Sequence, residues 1–223
     1  MVSGLFFAVA DSVIIAKNPC TISIMSRICY IPTSLVLRCK PVFCEIIAYL
    51  ANLSFSEGRF PALFKQATVT PLIKGHSLDK SAPSNYRPIS NLNFISKVLE
   101  RLFLCRFQSH ILESPNFNSH QSAYRPYCSS LQPLLDHVYS AADVGKPTLL
   151  TSLDLSAAFD TVDHSVLLKR LSCSFDVAGN VLSWIQSYLC DRKQSVRIGS
   201  HLSPPNPCLV GVPQGSVLGR YFS

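Results

Sequence analysis

An aspartate at the end of an apolar run is the first candidate for chemistry. The run Ser-Leu-Asp-Leu-Ser-Ala-Ala-Phe-Asp occupies residues 152–160 and places a carboxylate at Asp154. A carboxylate at a strand end, followed by small residues that let a ligand approach, is a natural ligand for Mg²⁺, which prefers oxygen donors. The alternative is an aspartate that starts a turn after a strand.

A glycine-rich segment near the C-terminus is the second candidate. Residues 211–219 read Gly-Val-Pro-Gln-Gly-Ser-Val-Leu-Gly. Three glycines allow a tight loop whose backbone can lie against a flat ligand. Gln214 adds a side chain that both donates and accepts hydrogen bonds. The alternative is an ordinary glycine-rich turn.

Two arginines form the third candidate. Arg87 lies in Asn-Tyr-Arg-Pro-Ile-Ser, and Arg125 lies in Gln-Ser-Ala-Tyr-Arg-Pro. An arginine can bind a phosphate through two parallel hydrogen bonds, and the following proline restricts the backbone beside it. Arginines that cap loop–helix junctions are the alternative.

Helices and strands must position these residues. Apolar residues at helical spacing predict helices over residues 42–53, 131–142 and 181–189. A further helix is predicted after Pro88, with Leu92 to Phe103 on one face. Asp163 is a good N-cap for a helix that extends to residue 171. Apolar and β-branched runs predict strands over 67–73, 148–155, 194–198 and 208–210. Because helices and strands alternate irregularly, the pattern favours an α+β fold over a doubly wound sheet.

Composition and charge narrow the class of partner. The chain has 223 residues, 48% of them hydrophobic, which is enough for a packed core and unlike a disordered chain. The net charge is +7, and residues 59–125 contain nine Lys/Arg against three Asp/Glu, whereas residues 126–223 contain seven of each. A basic central segment suits a polyanion, although a solvated basic surface would look the same.

Cysteine usage indicates a reducing compartment. The nine cysteines are an odd number and form no C-x-x-C pair, which argues against a disulfide framework and a zinc site. We therefore expect an intracellular protein, nuclear or cytoplasmic and not secreted, with most thiols buried. The apolar run from Leu5 to Ile15 lacks a preceding basic residue, contains Asp11 and is too short to span a bilayer, so no membrane partner is expected.

Taken together and in order, these motifs resemble one family. Asn-Tyr-Arg-Pro-Ile-Ser-Asn-Leu, Gln-Ser-Ala-Tyr-Arg-Pro, Leu-Asp-Leu-Ser-Ala-Ala-Phe-Asp and Gly-Val-Pro-Gln-Gly-Ser-Val-Leu-Gly are similar to the reverse transcriptase of non-LTR (LINE-type) retrotransposons, closest to the chicken-repeat and jockey-like groups. The resemblance covers about residues 31–219. It implies the fingers and an incomplete palm of a right-hand polymerase, with an antiparallel sheet packed on helices. The implied segments are an unassigned 1–30, an upstream helical extension at 31–58, fingers at 59–128 and a partial palm at 129–223.

The resemblance also implies metal-dependent DNA synthesis. In the family, two Mg²⁺ ions catalyse phosphoryl transfer. Asp154 and the backbone carbonyl of Leu155 would bind the metals. Phe159 would lie under the sugar and leave no room for a 2′-hydroxyl, which selects deoxynucleotides.

The implied partners are an RNA template, an RNA–DNA hybrid and deoxynucleoside triphosphates. Lys74 and Arg87 would grip the triphosphate, and Arg125 would lie near the template or the phosphates. Gln214 and Gly215 would pack against the nascent base pair. Oligomeric state is left open.

The sequence departs from the family pattern in two places. After Gly219 the family continues with a proline and an apolar run, but this chain reads Arg-Tyr-Phe-Ser, and the later palm motif with paired aspartates is absent. Tyr127 and Cys128 replace the small or basic residues that usually follow Arg-Pro. We therefore expect a reverse transcriptase fragment that is inactive alone. The alternatives are a non-enzymatic remnant that binds RNA or an RNA–DNA hybrid, and a decayed genomic remnant.

Overall fold

The chain folds into mixed helices and strands, which confirms the coarse fold class. The computed structural model describes residues 40–118, 121, 131–153 and 157–222. The helices of this part are α1 (Lys40–Ser56), α2 (Phe94–Leu112), α3 (Leu131–Asp143), α4 (His164–Phe175), α5 (Gly179–Leu189) and α6 (Gly219–Phe222). Its strands are β1 (Gln66–Ile73), β2 (Tyr86–Leu92), β3 (Arg192–Ile198), β4 (His201–Leu202) and β5 (Asn206–Cys208).

The strands form one mixed sheet. Its order is β2-β1-β3-β4, and β5 also pairs with β3. β1 is antiparallel to β2 but parallel to β3, so the expectation of an antiparallel sheet is wrong for this central pair. A parallel pair needs a long crossover, and helices α2 to α5 lie in the chain between β1 and β3. The sheet therefore joins strands from both the 59–128 and the 129–223 segments.

Strand β2 replaces the start of a predicted helix. Residues 88–92 belong to the strand, and helix α2 begins only at Phe94, after the N-cap Asn93. The prediction was wrong because a proline often starts a helix, but it is also tolerated on an edge strand, where it has no N–H to leave unpaired. Pro88 lies opposite Pro71 in the β1–β2 register. Two residues later, the N–H of Ser90 is directed away from β1 and bonds to the carbonyl of Gln214.

The other helices were predicted within a few residues of their observed limits. The periodic runs at 42–53, 131–142 and 181–189 correspond to α1, α3 and α5. Asp163 caps α4, and its carboxylate accepts hydrogen bonds from the N–H groups of Ser165 and Val166. Strand β1 matches the predicted 67–73, and β3 contains the predicted 194–198.

Two predicted strands differ from the structure. Residues 148–153, the described part of the predicted 148–155 strand, pair with none of the described strands, and Leu149 and Leu153 are 92% and 88% exposed. The prediction failed there because an apolar sequence becomes a strand only when a neighbour completes its hydrogen-bond ladder. Residues 209–210 also lie outside strands, because the pairing with β3 uses Asn206–Cys208 instead.

The core lies where α1, α2 and α5 meet. Trp184 of α5 is fully buried, stacks on Phe103 of α2 at 4.0 Å between ring centroids, and packs edge-on against Phe55 of α1 at 5.5 Å. Its indole N–H donates to the Ser54 hydroxyl at 2.9 Å. Aromatic packing of this kind fixes the three helices against one another.

Cysteine burial differs from the expectation. Of the five cysteines whose placement is described, Cys44 is buried, Cys105 and Cys173 are exposed, and Cys190 and Cys208 are half-buried. The prediction used the average tendency of thiols, which individual positions need not follow. Within the described part of the chain, no helix is long and apolar enough to cross a membrane.

Candidate nucleotide and nucleic-acid site

One face of the sheet presents cations and hydroxyls. Because side chains alternate along a strand, the register places one set on the same side: Gln66, Thr68, Thr70, Leu72, Arg87, Ile89, Asn91, Lys193, Ser195 and Arg197. We call this set the outer sheet face. Arg87, Lys193 and Arg197 are exposed, whereas the opposite face carries the buried Val69 and Ser90. The outer sheet face is therefore a solvated basic surface on a rigid element.

Lys193 and Arg197 were not among the sequence candidates. The signal that could have found them is the alternation in Arg-Lys-Gln-Ser-Val-Arg-Ile, which puts Lys193, Ser195 and Arg197 on one side of a strand. What the sequence could not show is that β3 pairs with β1. That pairing brings both cations onto the same surface as Arg87.

Lys74 lies at the same end of the β1–β2 hairpin as Arg87. Arg87 is opposite Leu72, and Lys74 follows two residues later, where its N–H bonds to the Asn85 carbonyl at 2.8 Å. The Lys74 ammonium donates to the Ser84 carbonyl at 2.8 Å and is exposed. The two sequence-predicted cations are thus close neighbours along the hairpin.

The Gly211–Gly219 loop begins against the turn that follows the aspartate motif. The N–H of Val212 donates to the Phe159 carbonyl at 2.7 Å, and the N–H of Gly211 donates to the Val162 carbonyl at 2.8 Å. Nε2 of His164 lies 2.7 Å from the Gly211 carbonyl and donates to it. Gly211 has φ +80, and a Cβ there would lie 2.9 Å from the Phe159 oxygen, so a side chain is excluded.

The middle of the loop lies against strand β2. The N–H of Ser90 donates to the Gln214 carbonyl at 2.8 Å. Gly215 has φ +113, and a Cβ on it would lie 3.0 Å from the Ser90 carbonyl oxygen. Oε1 of Gln214 is buried without a hydrogen-bond partner among the described residues. These contacts place the loop three residues from Arg87 along β2.

The end of the loop is held by a carboxylate that sequence reasoning missed. Oε2 of Glu100, on α2, accepts hydrogen bonds from the N–H groups of Val217 at 2.7 Å and Leu218 at 3.1 Å. Glu100 is completely buried. In the sequence it looks like any charged residue on a surface helix, and only its apolar neighbours Leu99 and Leu102 indicate burial.

Of the two described aspartates near the loop, one caps a helix and the other is exposed. Asp163 is engaged as the cap of α4, and hydrogen bonds from Ser165 and Val166 lower its pKa below the ordinary value. Asp160 is exposed and lies beside Gly211. Phe159 is half-buried against the core, and its carbonyl is taken by Val212.

Three of the predicted site residues lie outside the described residues: Asp154, Leu155 and Arg125. In the described ranges, no group of three His, Cys, Asp or Glu side chains could hold a metal ion. The residues to which Mg²⁺ binding was assigned, Asp154 and Leu155, thus lie outside the part of the chain that the structure describes.

Comparison with known proteins gives the class of this chain. Residues 74–222 match the family described as reverse transcriptase (RNA-dependent DNA polymerase), and the chain belongs to that family. Its relatives identify the LINE-type, non-LTR branch. It is 33% identical over 189 residues to the "Probable RNA-directed DNA polymerase from transposon BS" of Drosophila melanogaster, covering 82% of this chain and 20% of that protein.

Other Drosophila melanogaster relatives agree. The chain is 34% identical over 164 residues to the "Probable RNA-directed DNA polymerase from transposon X-element", covering 72% of this chain and 18% of that one. It is 27% identical over 180 residues to the "RNA-directed DNA polymerase from mobile element jockey", covering 78% and 19%. The chain therefore spans about a fifth of the length of the curated relatives that it matches.

Proposed function

We propose that this chain supplies the template- and nucleotide-binding part of an RNA-directed DNA polymerase. One observation carries the proposal. The Gly211–Gly219 loop joins the Phe159 turn to strand β2, through Val212 N–H to Phe159 at 2.7 Å and Ser90 N–H to Gln214 at 2.8 Å. Motifs that are 53 and 124 residues apart in sequence are thereby neighbours, as a shared binding site requires.

The proposed partners are an RNA template, an RNA–DNA hybrid and deoxynucleoside triphosphates. The exposed cations of the outer sheet face would neutralise backbone phosphates, and such contacts dominate nucleic-acid affinity. Lys74 and Arg87, at one end of the hairpin, would bind the triphosphate, since guanidinium and ammonium groups both suit phosphate oxygens. Arg125 would extend this surface toward the template. We also propose that the activity takes place inside the cell, because it needs an RNA template.

The Gly211–Gly219 loop would contact the nascent base pair. Gly215 is exposed and has no side chain, so a flat base pair could approach its backbone. Oε1 of Gln214 has no partner among the described residues and could accept a hydrogen bond if its side chain rotated outward. Phe159, fixed by its bond to Val212, would serve as the sugar gate.

Reverse transcriptases use divalent metal ions, and we assign that role here to Asp154 and the Leu155 carbonyl. Bound Mg²⁺ would supply charge stabilisation to the transferring phosphate. In architectural terms, we propose fingers at 59–128 and a partial palm at 129–223, with β3 added to the fingers sheet and 31–58 as an upstream helical extension.

Photocrosslinking tests the nucleotide site. The chain is mixed with an RNA–DNA hybrid and a photoreactive deoxynucleoside triphosphate. Labelling should fall in a Lys74→Ala, Arg87→Ala double variant, because the triphosphate loses both cations. Lys169→Ala changes an exposed lysine of helix α4, which is not part of the sheet, and this control should label normally. Equal labelling of all three proteins would refute the site.

A second candidate function is nucleic-acid binding without synthesis. It is favoured by the outer sheet face, whose cations Arg87, Lys193 and Arg197 can hold a phosphate backbone without Asp154. Binding of RNA that survives Asp154→Ala, together with no nucleotide labelling, would support this function over the first.

A further inference from the structure

Helix α2 contains a buried carboxylate that binds the backbone of a distant loop. Oε2 of Glu100 accepts from Val217 N–H at 2.7 Å and Leu218 N–H at 3.1 Å, and Oε1 accepts from the Ser96 hydroxyl at 3.0 Å. Both oxygens are thus engaged in defined hydrogen bonds. The bonds span 117 and 118 residues of sequence, so Glu100 connects α2 to the end of the Gly211–Gly219 loop.

A carboxylate is an unfavourable choice for a core position. Burying a carboxylate costs free energy that an apolar residue of similar volume would not. Burial raises the pKa of Glu100, while Arg192 and the N–H donors of Val217 and Leu218 oppose the rise. An apolar residue could not accept the hydrogen bonds of Val217 and Leu218, so the carboxylate fixes a geometry that an apolar residue would not.

A buried arginine completes the surroundings of Glu100. Nε of Arg192 donates to the Tyr188 carbonyl at 2.6 Å, and its guanidinium lies 4.1 Å from the centroid of the Tyr188 ring. Arg192 is the first residue of β3, next to Lys193 of the outer sheet face. The Tyr188 hydroxyl faces Glu100 and Ser216 without meeting hydrogen-bond geometry to any described group. The carboxylate therefore has a fixed cation and ring beside it.

The loop is anchored at three places, and the bonds to Phe159 and Ser90 at two of them join backbone to backbone. Val212 bonds to Phe159 at the start, and Gln214 bonds to Ser90 in the middle. Glu100 supplies the third anchor from a side chain, within three residues of Gln214 in the loop. Between the last two anchors lie Gly215 and Ser216, and Ser216 Oγ accepts from Gly219 N–H at 2.9 Å. Removing the carboxylate would leave the N–H groups of Val217 and Leu218 without these hydrogen bonds.

We infer that Glu100 is a positioning residue that holds Gln214 and Gly215 in place for the base pair of an RNA–DNA hybrid. It acts through the loop backbone and does not touch the nucleic acid. The inference rests on the proposed function, because it assumes that the loop contacts the base pair of the hybrid. It predicts that Glu100 affects binding of a hybrid but not binding of single-stranded RNA to the outer sheet face.

The test compares affinities for a labelled RNA–DNA hybrid and for single-stranded RNA of the same sequence. Glu100→Leu keeps the approximate volume but removes both acceptors. It should weaken hybrid binding about tenfold, as expected for lost hydrogen bonds to a carboxylate, and leave RNA binding unchanged. Glu100→Gln keeps one carbonyl acceptor for Val217 and Leu218 and should restore hybrid binding. Amide exchange at Val217 and Leu218 should quicken in Glu100→Leu only.

A control separates positioning from general loss of stability. Phe107→Leu lies two turns along α2 and packs on Phe103 at 5.1 Å, so it should lower stability while keeping the preference for the hybrid. The inference is overturned if Glu100→Leu retains the preference, or if Phe107→Leu loses it equally. An unsubstituted chain that binds neither nucleic acid would refute the proposed function itself, and the inference with it.

Discussion

The N–H of Ser90 donates a 2.8 Å hydrogen bond to the carbonyl of Gln214, and this bond joins two motifs that are 124 residues apart. Ser90 lies on the edge strand β2, where its N–H is directed away from β1. Gln214 occupies that position in place of a neighbouring strand. The bond thus satisfies one donor of the sheet edge and fixes the Gly211–Gly219 loop against strand β2, three residues from Arg87.

The first prediction concerns the tight contact at the start of the loop. Gly211→Ala should lower the free energy of unfolding by roughly 3 kcal/mol, because positive φ and a clash with backbone act together. The added Cβ would lie 2.9 Å from the Phe159 oxygen and 3.0 Å from Asp160 Cα. Urea unfolding measures the change.

Gly199 provides the matched control. It also has a positive φ, of +60, but an added Cβ would meet nothing within 4 Å. Gly199→Ala should therefore cost only the conformational part, about 1 kcal/mol. Equal losses in the two variants would show that the Gly211 contact is not as tight as the structure has it.

The second prediction is a pH effect of Glu100. Burial raises the pKa of Glu100 in the folded state, against the opposing charge of Arg192. Between the ordinary and the raised pKa, the folded chain holds a proton that the unfolded chain has released. The stabilisation that protonated Glu100 contributes is therefore full below the ordinary pKa of glutamate. It is lost as pH rises through the raised value.

Comparison with Glu100→Gln isolates that effect, since glutamine does not titrate. The unfolding free energy of the unsubstituted chain, minus that of Glu100→Gln, should decrease as pH rises from the ordinary glutamate value. The other groups that face Glu100, Arg192 and Tyr188, are present in both proteins. Parallel pH curves would contradict the raised pKa.

The third prediction is that the 223-residue polypeptide shows no DNA synthesis. Two metal ions need several carboxylates, and those nearest Asp154 in sequence are Asp160 and Asp163. Asp163 is engaged in capping α4, and Asp160 lies beyond the Phe159 turn. Primer extension on an RNA template, with Mg²⁺ or Mn²⁺, measures the activity. Extension that disappears in Asp154→Ala would show that a working metal site assembles from these residues.

Local patterns in the sequence predicted most helices but not the sheet. Helical spacing located α1 and α5, and the capping aspartate located the start of α4, because these signals act within a few residues. Strand β2 was missed since Pro88 reads as a helix start, and only its place at the sheet edge makes the proline acceptable. The parallel pairing of β1 with β3 joins segments over a hundred residues apart, which no local pattern specifies.

The candidate site follows the same division: residues in sequence motifs could be proposed from the sequence, and residues that depend on tertiary packing could not. Lys74, Arg87, Gln214 and Gly215 were identified from motifs, and the structure brings the segments that carry them together. Glu100 was missed because its burial depends on tertiary packing. Arg197 was missed because the outer sheet face, to which it belongs, forms only when β3 pairs with β1. The binding roles assigned to the four residues identified from motifs, and the roles assigned to Asp154, Leu155, Phe159 and Arg125, remain predictions.

The salt dependence of RNA binding tests the central claim most directly. Labelled single-stranded RNA is titrated at roughly 50 and 200 mM salt, and each phosphate contact should add about −0.7 to the slope of log affinity against log salt. Arg87→Ala combined with Arg197→Ala should make the slope shallower by about 1.4, the sum of two such contacts, while Lys169→Ala leaves it unchanged. An unaltered slope in the double variant, or an equal change in Lys169→Ala, would contradict a nucleic-acid interface on the outer sheet face.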